Sequence, residues 1–182
     1  MRTIKTRVYT FDELNDTAKD KARDWYREGA LDYEWWDCTY MDAETIGMKI
    51  TSFDLDRNRH AEGHLTLSLA ESCEAILKEH GETCETYKTA SEYLTQYNQL
   101  DNAKDEAIRT LSPQDIEDEK ETELEDQFED AIVQLADEYQ QSLLEDYSIM
   151  LQREYEYLLS DQQVDESIRC NEYEFTETGK RA

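Results

Sequence analysis

Ten apolar residues, Leu124, Phe128, Ile132, Leu135, Tyr139, Leu143, Tyr147, Leu151, Tyr155 and Leu158, follow one another at steps of three or four, with no proline or glycine among them. That spacing is one face of an α-helix. Extended back to Ile116, it predicts a single rod over residues 116–159, about 65 Å long at 1.5 Å per residue. A stripe this long must be covered. The predicted helix over 86–110 can fold back on it but is much shorter, so the remainder points to a second copy of the chain, a homodimer. The start of the rod is also the most acidic part of the sequence. Asp115, Glu117, Asp118, Glu119, Glu121, Glu123, Glu125, Asp126, Glu129 and Asp130 stand against Lys120 alone.

The acidity is general. The formal net charge is −26, from 45 acidic and 19 basic residues among 182. Phosphates would be repelled by most of such a surface, which speaks against direct binding of nucleic acid or an anionic membrane and for a basic protein partner. Disordered acidic chains are poor in aromatics, whereas this one has twelve Tyr and three Trp, so a folded chain is expected. Cys38, Cys73, Cys84 and Cys170 are widely spaced and form no CxxC pair, as suits a reducing cytoplasm. No apolar run is long enough to span a bilayer, so a soluble protein of the cytoplasm is expected.

Alternation over residues 2–10 predicts a strand. A helix capped near Asn15 or Asp16 follows, with Ala18, Ala22, Trp25 and Tyr26 on one face, ending at Gly29. A second aromatic helix is predicted over 33–46, with Gly47 as its C-cap. Residues 48–55 and 64–69 alternate as a hairpin around a loop at 56–63. Helical spacing resumes at Ala70, stops at Gly81, and resumes over 86–110. Ser112-Pro113 then breaks the chain before the rod. A short helix over 164–168 and a strand over 172–176 close it. The fold class expected is α+β: a small, mostly antiparallel sheet of terminal strands and central hairpin, carrying the aromatic helices, with a long helical arm. The terminal strands pair with the hairpin or with each other. The implied division is a core of 1–69 with 170–182 and an arm of 70–169.

The chemistry-bearing patterns are weak. Asp54-Leu-Asp56-Arg-Asn58-Arg-His60 opens like a calcium loop, but Arg59 replaces the turn glycine and Leu65 the bidentate Glu. Cys73, His80 and Cys84 lie close in sequence without zinc-site spacing. No phosphate loop, nucleophile elbow or metalloprotease motif occurs. With 45 acids, a pair of carboxylates carries no catalytic specificity. No enzyme activity, metal or cofactor is therefore expected. Trp25, Tyr26, Tyr33, Trp35, Trp36 and Tyr40 read as core between two helices, and the basic island Arg57, Arg59 and His60 as an intramolecular partner for acids. The strongest binding candidate is the acidic run, with Asp115, Glu117, Asp118, Glu121, Glu125, Asp126, Glu129 and Asp130 as contacts. Ten carboxylates over its sixteen residues give about one charge per 2.4 Å of helix axis, against about one per 1.7 Å of duplex DNA.

Several blocks also resemble a known family. Tyr9-Thr-Phe11-Asp-Glu-Leu14, Ala22-Arg-Asp-Trp25-Tyr-Arg-Glu28, Asp32-Tyr-Glu-Trp-Trp-Asp37, Thr51-Ser-Phe-Asp-Leu-Asp-Arg57, Leu144-Glu-Asp-Tyr147 and Tyr173-Glu-Phe-Thr176 are similar to proteins of phages and other bacterial mobile elements, often labelled antitoxins of toxin–antitoxin stability systems. The length and acidity resemble anti-CRISPR inhibitors of type II RNA-guided nucleases. The resemblance covers the first seventy or so residues and the last forty, and leaves out the acidic run. It implies a phage-encoded protein in a bacterial host cell that binds a guide-loaded effector nuclease and blocks DNA recognition or cleavage; the charge spacing of the acidic helix adds DNA mimicry as the expected means. The other function it implies is an antitoxin that neutralises one toxin by direct binding.

Overall fold

The computed structural model describes residues 7–112, 114 and 120–182. The protein is α+β, with two separate two-stranded antiparallel sheets rather than one. In chain order the elements are β1 (Tyr9–Thr10), a 3-10 turn (Phe11–Glu13), α1 (Asp16–Arg27), α2 (Asp37–Thr45), β2 (Met48–Asp54), β3 (His60–Leu65), α3 (Leu69–Glu79), α4 (Glu85–Arg109), α5 (Lys120–Leu158), α6 (Asp161–Cys170) and β4 (Glu174–Phe175). The chain divides into two compact units, Met1–Asp37 with Gln152–Ala182, and Cys38–Leu151.

The terminal unit is built on long-range pairing. β1 pairs with β4, Tyr9 opposite Phe175, so the terminal strands join each other and not the hairpin. Asn15 caps α1 by accepting the Ala18 amide proton at 3.0 Å, which satisfies one of the orphan donors of the first turn. Phe11, Leu14, Ala18, Ala22, Val164, Ile168 and Phe175 form its core. Here α6 packs on α1. The sequence pattern placed α6 in the arm; the apolar pair Val164 and Ile168, four residues apart on one helical face, seats it in this core instead.

The central unit holds the hairpin and the long helices. Met48 and Ile50 of β2 join Ala43, Ile46, Leu69, Cys73, Ile76, Ala90, Leu135, Tyr139, Leu143 and Tyr147 in one core. The hairpin therefore belongs with α3, α4 and α5, not with the terminal strands. Its loop is shorter than predicted, because β3 begins at the polar His60. Gly63 makes that possible: a Cβ there would lie 2.4 Å from the Lys49 carbonyl oxygen. Gly47 ends α2 as expected, in a left-handed conformation (φ +77°) over which the Leu67 side chain packs. Ser68 and Glu71 form a capping box at the start of α3. α4 runs antiparallel to α5: the Thr89 hydroxyl donates to Asp146 at 2.7 Å, and further along Tyr93 and Ser142 share a hydrogen bond of 2.9 Å. The rod predicted over 116–159 is a continuous helix over the 39 residues of α5.

Candidate functional site

The apolar stripe divides α5. Leu135, Tyr139, Leu143, Tyr147, Ser148 and Leu151 are buried, whereas nothing from Lys120 to Gln134 is. In that first part Leu124, Phe128 and Ile132 are half-buried, the residues a second copy would cover. Three of these positions, at i, i+4 and i+8, make one row, and the carboxylates make others. Glu121, Glu125 and Glu129 follow one another at four-residue steps, as do Asp126 and Asp130. Glu125, Asp126, Glu129 and Asp130 are exposed and Glu121 is half-buried. Asp115, Glu117 and Asp118, expected as part of the same face, lie outside the described residues.

Neighbours four apart on a helix are about 6 Å apart along the axis, so each row sets like charges side by side, at a cost of about 0.2–0.5 kcal/mol per pair. Among the described residues no ion pair engages Glu125, Asp126, Glu129 or Asp130; the ion pairs present lie elsewhere, as at Arg23–Asp165 or Arg59–Glu145. The helix N-terminus, with Glu121 and Glu123 in its first turn, recovers part of this cost through the macrodipole. Val133, 55% exposed, sits one turn beyond Glu129 and Asp130. The face is thus an anionic surface with one exposed apolar residue, able to attract and orient a basic surface.

The other sequence candidates are dispersed. The aromatic cluster is not one core between two helices. Trp25 and Tyr26 pack with Tyr173, and Trp25 also with Phe175. Trp35 meets Trp36 edge-to-face at 5.6 Å and Tyr155 at 6.0 Å. Tyr40 meets Phe53. The split follows from the helix start: α2 begins only at Asp37, so Trp35 and Trp36 precede it and both are half-buried. In the basic island, Arg59 reaches α5, bonding Glu145 and donating to the Ser148 hydroxyl at 3.2 Å. Cys73 is buried, and burial pushes its thiol up to about 11; Cys84 is exposed at the head of α4.

Sequence reasoning missed the buried polar network of the central unit. Tyr147 donates to Asp42 at 2.9 Å. His80 Nε2 lies 3.4 Å from Asp42, and its Nδ1 bonds the Thr86 hydroxyl at 2.8 Å. Ser72 and Tyr139 share a hydrogen bond of 2.9 Å. The carboxyl of Asp42 is held below its ordinary value by His80 first and Tyr147 second, against the opposing effect of burial. The available signal was tyrosine recurring at core spacing, since a buried phenol needs a partner. Thr86 and Tyr147 are buried while the Asp42 side chain is half-buried, so the constellation ties α2, α3, α4 and α5 together from the core to its edge.

Among the described residues no helix is long and apolar enough to cross a membrane. No protein-family model, curated protein or solved structure matches this chain.

Proposed function

We propose that this protein is an inhibitor acting by binding, and that its target is a guide-loaded type II CRISPR effector nuclease. The observation that carries the reading is the exposed, unmatched carboxylate face of α5 at Glu125, Asp126, Glu129 and Asp130. A self-repelling row on a rigid helix is stabilised by any surface that supplies cations. The channels that hold target DNA and guide heteroduplex in such effectors are lined with them. The length and acidity, which resemble those of anti-CRISPR inhibitors of type II nucleases, support the same class of target, and the blocks within the first seventy and last forty residues resemble phage and mobile-element proteins. In this reading the carboxylates occupy Lys and Arg positions meant for phosphates, association is fast, and it weakens with salt.

The test is DNA binding and cleavage by the guide-loaded effector with this protein in excess. Inhibition is expected, falling at least about tenfold in potency when Glu121, Glu125 and Glu129 are changed to Lys. An effector that still binds and cleaves its target under excess protein rejects the nuclease as partner. Undiminished inhibition by the folded triple variant removes the acidic face as the contact. The same resemblance supports a second reading, an antitoxin. Rescue of cells from a toxin encoded beside the gene, with no effect on the nuclease, would favour that reading.

A further inference from the structure

The end of α1 and the approach to β4 build an aromatic cleft within the terminal unit. Ring centroids are 5.2 Å apart for Trp25–Tyr173, at 90°, and 6.3 Å and 6.4 Å apart for Tyr26–Tyr173 and Trp25–Tyr26. All three rings are half-buried, so each keeps part of its surface in solvent. With Glu28 and Gly29 they line an open cleft of about 360 Å³. The chain itself places a guanidinium close to two of these rings. Arg181 lies 4.8 Å from the Tyr173 centroid and 5.8 Å from that of Trp25, steadied by donation to the Glu174 carbonyl at 2.8 Å. It does not line the cleft, which keeps aromatic surface beside that arginine.

Aromatic faces are electron-rich and attract cations. Glu28 adds a full negative charge, and among the described residues no ion pair engages it. A π face beside a carboxylate suits the planar guanidinium better than an ammonium, because guanidinium stacks with its face and donates with its edge. We propose that the cleft lined by Trp25, Tyr26, Glu28 and Tyr173 receives an arginine side chain from a protein partner, held against an aromatic ring as Arg181 is. The site is formed by residues of the terminal unit alone.

The test is an NMR titration of the full chain with N-acetyl-arginine amide, following the indole N–H of Trp25, with the indoles of Trp35 and Trp36 as internal controls. A saturable shift confined to Trp25 is expected, with N-acetyl-lysine amide about threefold weaker. Glu28→Gln should weaken binding about threefold. Arg181→Ala, which removes a like charge and bares ring surface, should tighten it about threefold. Both positions are exposed, and an unchanged spectrum elsewhere checks that each variant is folded. A Trp25 signal that stays fixed in both the wild type and Arg181→Ala overturns the proposal. Equal binding of the two amides with Glu28→Gln unaffected also overturns it. Free arginine binding more tightly than its blocked amide would mark a small-molecule site and overturn the assignment to a partner protein.

Discussion

Carboxylates in the two units of this protein live under different rules. Met1–Asp37 with Gln152–Ala182 carries 11 basic and 17 acidic residues, net −6, whereas Cys38–Leu151 carries 8 and 28, net −20. In the terminal unit several acids are held by arginines. Asp165 takes two hydrogen bonds from Arg23, at 2.6 and 2.8 Å. Asp161 is bonded by Arg27, and Asp12 by Arg169 at 2.9 Å. Lys19, Arg23 and Arg169 also surround the ring of Phe11. In the central unit, among the described residues, no ion pair engages Glu125, Asp126, Glu129 or Asp130, where α5 buries nothing. Charge thus serves as internal fastening in one unit and as an outward field in the other.

The contrast along α5 gives the largest expected effect. Leu143 is fully buried among the core of the central unit, and Leu143→Ala should cost about 3 kcal/mol through lost transfer and a residual cavity. Leu124→Ala, at a half-buried position of the same stripe, should cost about 1 kcal/mol. Urea unfolding of the two variants measures both. Equal costs would mean that the first turns of α5 are covered as well as the later ones, and the division of the helix would fail.

The next effect breaks the fastening of the terminal unit. The Arg23 and Asp165 side chains are 19% and 15% exposed, so their pair is largely out of water. Arg23→Ala should cost about 2 kcal/mol, below the range for removing one partner of a fully buried pair, because Arg169 stands 3.9 Å from Asp165 and compensates in part. Neutralising the central unit's acids should have the opposite sign. Changing Glu125 and Glu129 to Gln and Asp130 to Asn removes like-charge neighbours four apart and should stabilise by about 0.5 kcal/mol at low salt, with the gain vanishing at high salt. Thermal melts at two ionic strengths test this. A loss of stability would show that these carboxylates fasten the fold, and the proposed outward role would lose its support.

How far the fold was readable follows from the range of its contacts. α4 and α5 were legible because their pattern repeats over many turns, and Gly47 and Asn15 end and begin helices by local chemistry, whereas Ser68, read as part of a strand over 64–69, caps α3. The hairpin register was not, because β3 opens with His60, Ala61 and Glu62, whose pairing with Ser52, Phe53 and Asp54 depends on the partner strand. The place of α6 was not legible either, since Arg23 and Asp165 are 142 positions apart. For the site, the acidic row could be found by counting, as charge is a property of composition. The Trp25–Tyr26–Tyr173 cleft could not, because two of its walls come from α1 and the third from the chain's other end.

The smallest effect separates charge from hydrogen bonding at Asp42, a carboxylate of the central unit that is fastened. Its carboxyl is depressed by His80 and Tyr147, and that of Asp165 by Arg23. A group depressed in the folded state stabilises the fold above its unfolded value, near pH 4. That contribution is lost as pH falls through the folded value. Asp146 acts in the opposite sense: burial raises its carboxyl, so its ionised form opposes folding and its protonation relieves the strain. Asp42→Asn keeps an acceptor for Tyr147 but removes the charge that faces His80. The Asp42 side chain is 39% exposed, and solvent screening holds the expected loss to about 0.3 kcal/mol at neutral pH. In urea unfolding across a pH series, the gap between wild type and variant should be widest above pH ~5 and close as the pH falls past the ordinary carboxylate range. A gap constant with pH would mean that the hydrogen bond geometry alone, and not the charge, makes Asp42 an exception to the rule of its unit.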